Sequence, residues 1–244
     1  RGGARPSARP PPPARGGPRP PLPVRAALAP EARPPPLVRA TALELLRPFG
    51  PEAAQAGGAA LQDPDALVRS AAVRALDALP ESQRLAALTT LEDQALAVRI
   101  ESARVMASGL SSGPLAQLGP QWGAIFARAT AEYRAAQALS ADLPSAHLNL
   151  AVLAEGLKEH EEAERQYTLA LEQDPRFLPA RFNLATFLNK QGRNRGALAV
   201  LEKGLELAPD EGELYYSLGL LRAEMGELDR AADALLAAAA RLPG

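Results

Sequence analysis

The 244-residue sequence predicts an all-α protein, a solenoid of stacked helix–turn–helix repeats that follows a proline-rich leading segment. Three observations carry that prediction. Proline recurs at Pro175, Pro209 and Pro243, a constant 34-residue interval. Val38-Arg39, Val68-Arg69 and Val98-Arg99 recur with a 30-residue interval of their own. Between these marks apolar residues fall at helical spacing, as in Leu148, Ala151, Val152 and Ala154. A fixed period of this length marks units that cannot bury an apolar face alone and do so by stacking.

Residues 1–36 hold 13 of the 24 prolines, 7 arginines and one acid, Glu31, for a local charge of +6. Around RPPPPARGGPRPPLP almost nothing apolar is present to offset chain entropy, so this segment is expected to be a disordered Pro/Arg-rich tail of polyproline II character. Pro10–Pro13 and Pro20–Pro23 are the stretches an aromatic groove of SH3 type could take, against the plainer reading of a tail or linker.

Residues 37–109 carry the 30-residue period. Four residues after each valine stands Ala42, Ala72 or Ser102, and eight after it Leu46, Leu76 or Met106. Asp63-Pro64 is expected to open the second unit as N-cap and first helical residue. Second helices are expected at about 51–61 and 81–91. The D-P-x-x-x-V-R-x-x-A pattern resembles short HEAT-like repeats, which are paired helices. Residues 110–121, with Gly113-Pro114 and Gly119-Pro120, read as a junction. Residues 122–143 read as a lone second helix, because Ala129, Tyr133 and Ala136 stand one 34-residue period before Ala163, Tyr167 and Ala170.

Residues 144–244 divide into three units. Leu150, Leu184 and Leu218 are in register, as are Ala163, Ala197 and Ala231. Bulky residues follow at Tyr167, Leu201 and Leu235, then small ones at Ala170, Gly204 and Ala238. Gly192 and Gly226 mark the turns, with Lys158 in the matching place. First helices are expected at about 145–157 and second ones at about 161–172, with equivalents one and two periods on. These residues resemble the tetratricopeptide repeat (TPR) over about 144–243. The family's leading aromatic is replaced by His147 and Arg181 and kept as Tyr215. The resemblance implies a right-handed solenoid.

The totals exclude several function classes. Without cysteine there is no disulfide, thiolate metal site, cysteine nucleophile or covalent c-type haem in the chain. A net charge of −1 gives no reason to expect nucleic acid. The longest apolar run, Ala234–Ala240, is far below the roughly 20 residues of a membrane span. His160-Glu161 lacks the second histidine of a zincin, and no phosphate loop, dinucleotide fingerprint or nucleophile elbow is present. His160 is expected in a solvated turn, and Glu161 to pair with Arg165 on a helix face. No cofactor, no metal and no catalysis are expected.

What remains is a groove. The TPR resemblance implies that first helices line a face that binds a protein or peptide segment. Carried over, that face comprises Leu148, Asn149, Val152 and Glu155, then Phe182, Asn183, Thr186, Asn189 and Lys190, then Tyr216, Ser217 and Leu220. The asparagine amides suit an extended backbone, and the aromatics suit an interface anchor or packing between repeats. Leu148 and Val152 stand where a carboxylate-clamping groove needs lysine and asparagine, so a free carboxylate is not expected there, and the flanking Glu155, Glu213 and Glu224 favour a neutral or mildly basic segment. Leu235, Leu236 and the alanine run of the last helix predict weak self-association through that end. The order of HEAT-like repeats before TPRs also resembles the C-terminal region of TPR-containing multihaem c-type cytochromes. As part of such a parent the chain would be a periplasmic docking module, and otherwise cytoplasmic.

Overall fold

A computed structural model describes residues 20–28, 34–77, 79–109 and 119–242. Among the described residues all regular structure is helical, with 13 α-helices and two short 3-10 segments. The chain forms two compact units that divide after Leu79.

The first unit contains α1 (Leu22–Ala27), α2 (Pro36–Leu46), α3 (Pro51–Ala60) and α4 (Ala66–Leu76). The tail expectation needs correction here. Residues 1–19 and 29–33, including Pro10–Pro13, lie outside the described residues. Leu22–Ala27, however, is helical, and its Val24 packs with Ala42, Leu46 and Ala53. Pro21 and Pro23 do not prevent this, because a helix's first turn has no use for the missing N–H groups.

The helices α2, α4 and α6 (Leu96–Gly109, in the second unit) start at Pro36, Ala66 and Leu96, the 30-residue interval of the sequence. The cap of α4 is a second correction. Asp65, not Asp63, caps the helix, accepting from the Leu67 N–H at 2.9 Å. Asp63 is held by Arg39, which donates from Nε at 3.0 Å and Nη2 at 2.8 Å, while the Asp65 N–H closes an Asx turn on it at 2.9 Å. Two acids stand before α4, and the bidentate arginine claims the earlier one.

The periodic arginines thereby acquire a physical role. Arg69 Nη1 donates to the carbonyls of Asp63 and Pro64 at 2.8 and 3.1 Å. One period later Arg99 Nη1 does the same to Asp93 and Gln94, again at 2.8 and 3.1 Å. Arg99 also clamps Glu132 through Nε at 2.7 Å and Nη2 at 3.0 Å, which holds that carboxyl below its usual pKa range.

The second unit continues with α5 (Glu81–Arg84), the 3-10 segment Leu85–Thr90 and α6. Then come α7 (Pro120–Ala138), α8 (Pro144–Gly156), α9 (His160–Gln173), α10 (Leu178–Lys190), α11 (Asn194–Leu207), α12 (Gly212–Glu224) and α13 (Leu228–Ala239). Residues 110–118 of the expected junction lie outside the described residues, as does Pro243. From α8 onward the helix ends fall close to those the 34-residue register predicts. The second helices α9 and α11 each pack on their own first helix and on the first helix of the next unit, and α13 packs on α12.

Two details explain the register. At the turns Lys158, Gly192 and Gly226 take φ of 62°, 72° and 79°. The next residue closes a Schellman bond at 2.9 Å each time: Glu159 to Ala154, Arg193 to Leu188 and Glu227 to Arg222. Helix pairs approach closely where the register carries small residues. A Cβ on Gly219 would lie 2.7 Å from Leu235 Cγ and 3.2 Å from the Ala231 carbonyl oxygen. Apolar side chains between these helices form one core, with Tyr167, Phe187, Leu201 and Leu214 almost fully enclosed.

Candidate binding cleft

The first helices of the first two repeats, α8 and α10, bound a cleft of ≈ 650 Å³. Four expected groove residues meet in it: Val152 from α8, and Asn183, Thr186 and Lys190 from α10. They come together because positions one repeat apart occupy neighbouring places on successive first helices. The Asn183 amide makes no hydrogen bond among the described residues, so its donor and acceptor both remain for a ligand.

The other expected residues divide. Leu148 and Phe182 are half-buried against the core, which favours the packing reading for Phe182. The Asn149 amide donates to Gln137 Oε1 at 3.1 Å and Asn189 to Glu224 Oε2 at 2.7 Å, so each already holds a partner. Tyr216 and Leu220 stand 48% and 45% exposed on α12 and, with Ser217, do not line the cleft.

Three further residues line the cleft. Glu155 is there as its place on the expected groove face implies, Tyr167 reaches it from the core, and the exposed His160 borders it from the first turn of α9. Tyr167 donates its hydroxyl to Glu155 Oε2 at 2.8 Å, and Lys190 Nζ donates to Glu155 Oε1 at 2.9 Å. Burial first, then the charge of Glu155 and its hydrogen bond, push the Tyr167 phenol far above its ordinary pKa, so it remains a donor. The His160 ring lies tilted at 45° to that of Phe187, their centroids 6.0 Å apart, and its Nδ1 accepts from Gln191 Nε2 at 3.3 Å. The signal for Glu155 was its offset of one repeat and one position from Lys190, which Asn189 and Glu224 repeat.

Nearby charges correct one expected pair. Arg165 bonds Glu162, at 2.9 Å through Nε and 2.7 Å through Nη2, and not Glu161. Gln166 Nε2 anchors the Glu162 carboxylate at 2.8 Å and presents it to the arginine fork.

The three slots of the family's leading aromatic hold different solutions. In the first unit His147 Nδ1 meets Gln166 Oε1 at 2.6 Å and Nε2 meets the Ala141 carbonyl at 3.1 Å. In the third, Arg241 lies 4.4 Å over the Tyr215 ring. In the second, Arg181 is buried, only 3% exposed. Its Nη1 donates to the Val200 carbonyl at 2.8 Å and its Nη2 to that of Pro175. Its Nε has no partner. No acid is paired with it among the described residues, and burial pulls its pKa below the ordinary arginine value. The side chain fits only because Gly204 has no Cβ, which would crowd directly onto Arg181 Cδ at 2.4 Å. Among the described residues no group of three or more His, Asp or Glu is placed to hold a metal ion, and no helix is long and apolar enough to cross a membrane.

Comparison with known proteins agrees on the repeat. Residues 158–220 match the tetratricopeptide repeat family. No curated protein sequence matches the chain. Among solved structures the chain is similar to a crystal structure of MamA, at 16% identity over 70% of this chain and 86% of that one, with a TM-score of 0.41. A second MamA crystal structure gives 16% identity, coverage of 70% and 81%, and a TM-score of 0.41. The structure titled MamA MSR-1 C2 gives 19% identity, coverage of 65% and 84%, and a TM-score of 0.39.

Proposed function

We propose that this chain, with a tetratricopeptide repeat at the centre of its helical stack, is a non-catalytic interaction scaffold that holds a protein segment in the cleft between α8 and α10. The observation that carries the reading is the convergence of Val152, Asn183, Thr186 and Lys190 on one cleft, with the Asn183 amide unpartnered there. An extended segment offers that amide a carbonyl to bind and an N–H to accept. Neither the HEAT designation nor the cytochrome alternative gains support from the comparisons, and the proposal rests on neither.

The test is selection of displayed random peptides on the immobilised chain, followed by affinity measurement on a selected peptide. Asn183→Ala should weaken binding about tenfold or more, whereas Glu202→Ala, on α11 and away from the cleft, should not. Equal affinity for the wild type and Asn183→Ala would remove the cleft from the reading.

A second interaction concerns the last repeat. Leu236 on α13 is 71% exposed, and Tyr216 and Leu220 stand open on α12. We propose weak self-association through this end, read by sedimentation velocity over a concentration series. A Leu236→Glu variant that associates as the wild type does would count against it.

A further inference from the structure

Arg181 is an unusual group to find enclosed between helices. A guanidinium removed from water without a carboxylate beside it is costly to keep charged. Its two carbonyl partners, Pro175 and Val200, supply dipoles but no counter-charge, and its Nε–H is unsatisfied. The same arginine lines an open groove of ≈ 390 Å³, away from the peptide cleft, whose walls include Leu171, Leu184, Ala199, Val200 and Leu207. Glu172 and Lys203 also border the groove, and Lys203 Nζ is engaged by Glu206 at 2.7 Å. An apolar trough with an uncompensated cation in its wall has complementary chemistry: a negative head on an apolar chain.

We propose that this groove between α9 and α11 is a binding site for a carboxylate carried on a short apolar chain, with Arg181 as the charge that recognises it. The chain lies along Leu171, Leu184 and Leu207, and the carboxylate supplies the counter-charge that Arg181 lacks. A carboxylate can accept from a guanidinium through two oxygens at once, which a backbone carbonyl cannot. The bonds to exchange are those to Pro175 and Val200, both of which line the groove. Gly204 belongs to the same device, because any larger residue there would expel the arginine.

The probe is sodium octanoate, followed by two-dimensional NMR of the arginine Nε–H signals of the full chain, with octanol and acetate as partial ligands. The Arg181 Nε–H signal is assigned in the wild type by triple-resonance correlation through its side chain to the backbone. Octanoate should shift it saturably, and octanol and acetate should each bind about tenfold more weakly or worse. Arg181→Leu, its fold checked by circular dichroism, should lose at least about tenfold in octanoate affinity. If that variant does not fold, Leu207→Glu supplies the second reading, because it should block octanoate and leave the Arg181 signal in place. N-acetyl-leucyl-leucine and its amide separate a peptide C-terminus from a free acid: tighter binding of the peptide acid than octanoate identifies the peptide as source. Octanoate and octanol binding alike, no shift of the Arg181 signal, or undiminished octanoate binding by Arg181→Leu would each overturn the assignment.

Discussion

Adding one methyl group at Gly204 should unfold the second repeat's packing from the inside. The new Cβ would lie 2.4 Å from Arg181 Cδ, 3.1 Å from its Nε and 3.1 Å from Leu214 Cδ1. Carbon atoms settle at about 3.5–4 Å, so Arg181 must withdraw by an ångström or more. That movement breaks a 2.8 Å bond to Val200. Hydrogen bonds involving a charged group contribute about 1.5–3 kcal/mol, and overpacking a core costs about 1–3 kcal/mol. Against this, alanine gains about 1 kcal/mol over glycine inside a helix. Gly204→Ala should therefore lose about 1.5–5 kcal/mol by these terms. The assay is urea unfolding followed by far-ultraviolet circular dichroism. Gly123, in α7 with nothing within 4 Å of its added Cβ, is the control and should gain about 1 kcal/mol as alanine. In an Arg181→Ala background the same Gly204→Ala change should be neutral or stabilising, a coupling of about 3 kcal/mol. If Gly204→Ala behaves as Gly123→Ala does, or costs the same with and without Arg181, the account of this slot is wrong.

Two further outcomes follow from local geometry. Lys158 occupies a left-handed turn position that glycine fills in the next two units, so Lys158→Gly should stabilise the chain by up to about 1 kcal/mol, read in the same urea series. Burial pushes the Tyr133 phenol from 10.0 up to about 12, so the folded chain resists losing that proton. A raised folded pKa gives stability that is present below pH 10.0 and lost as pH rises toward about 12, so the urea midpoint should fall across that window. Tyr133→Phe should flatten part of that fall, and an unchanged profile would refute the assignment.

The repeats were legible because their physics is periodic. Turn glycines, small residues at helix crossings and prolines between units each recur at the spacing the stack demands, so helix ends could be placed closely. Val24 was not, since one valine among many prolines gives no period, and its burial depends on α2 and α3. Asp63 misled because propensity treats every aspartate before a helix alike, while Arg39, far back in α2, decides which one caps. At the cleft, position in the repeat located Val152, Asn183, Thr186 and Lys190, yet could not say that Asn149 and Asn189 spend their amides on neighbours. Those bonds depend on which residue sits on the adjoining helix. The Arg181 groove was invisible for a related reason: an arginine in an aromatic's slot reads as a departure until Gly204 is seen to accommodate it.

The polar ties between successive units have a mechanical consequence. Arg134 to Glu159, Lys190 to Glu155, Arg193 to Glu164 and Asn189 to Glu224 each join one repeat to its neighbour through exposed side chains. The apolar contacts of the core, by contrast, are not subject to charge screening. Exposed ion pairs add little to stability and are screened over about 8 Å at physiological ionic strength. Salt thus leaves the spine of the stack intact while slackening its stays. Raising the ionic strength should therefore loosen the Lys190–Glu155 tie beside the cleft while leaving the apolar packing between α8 and α10 in place.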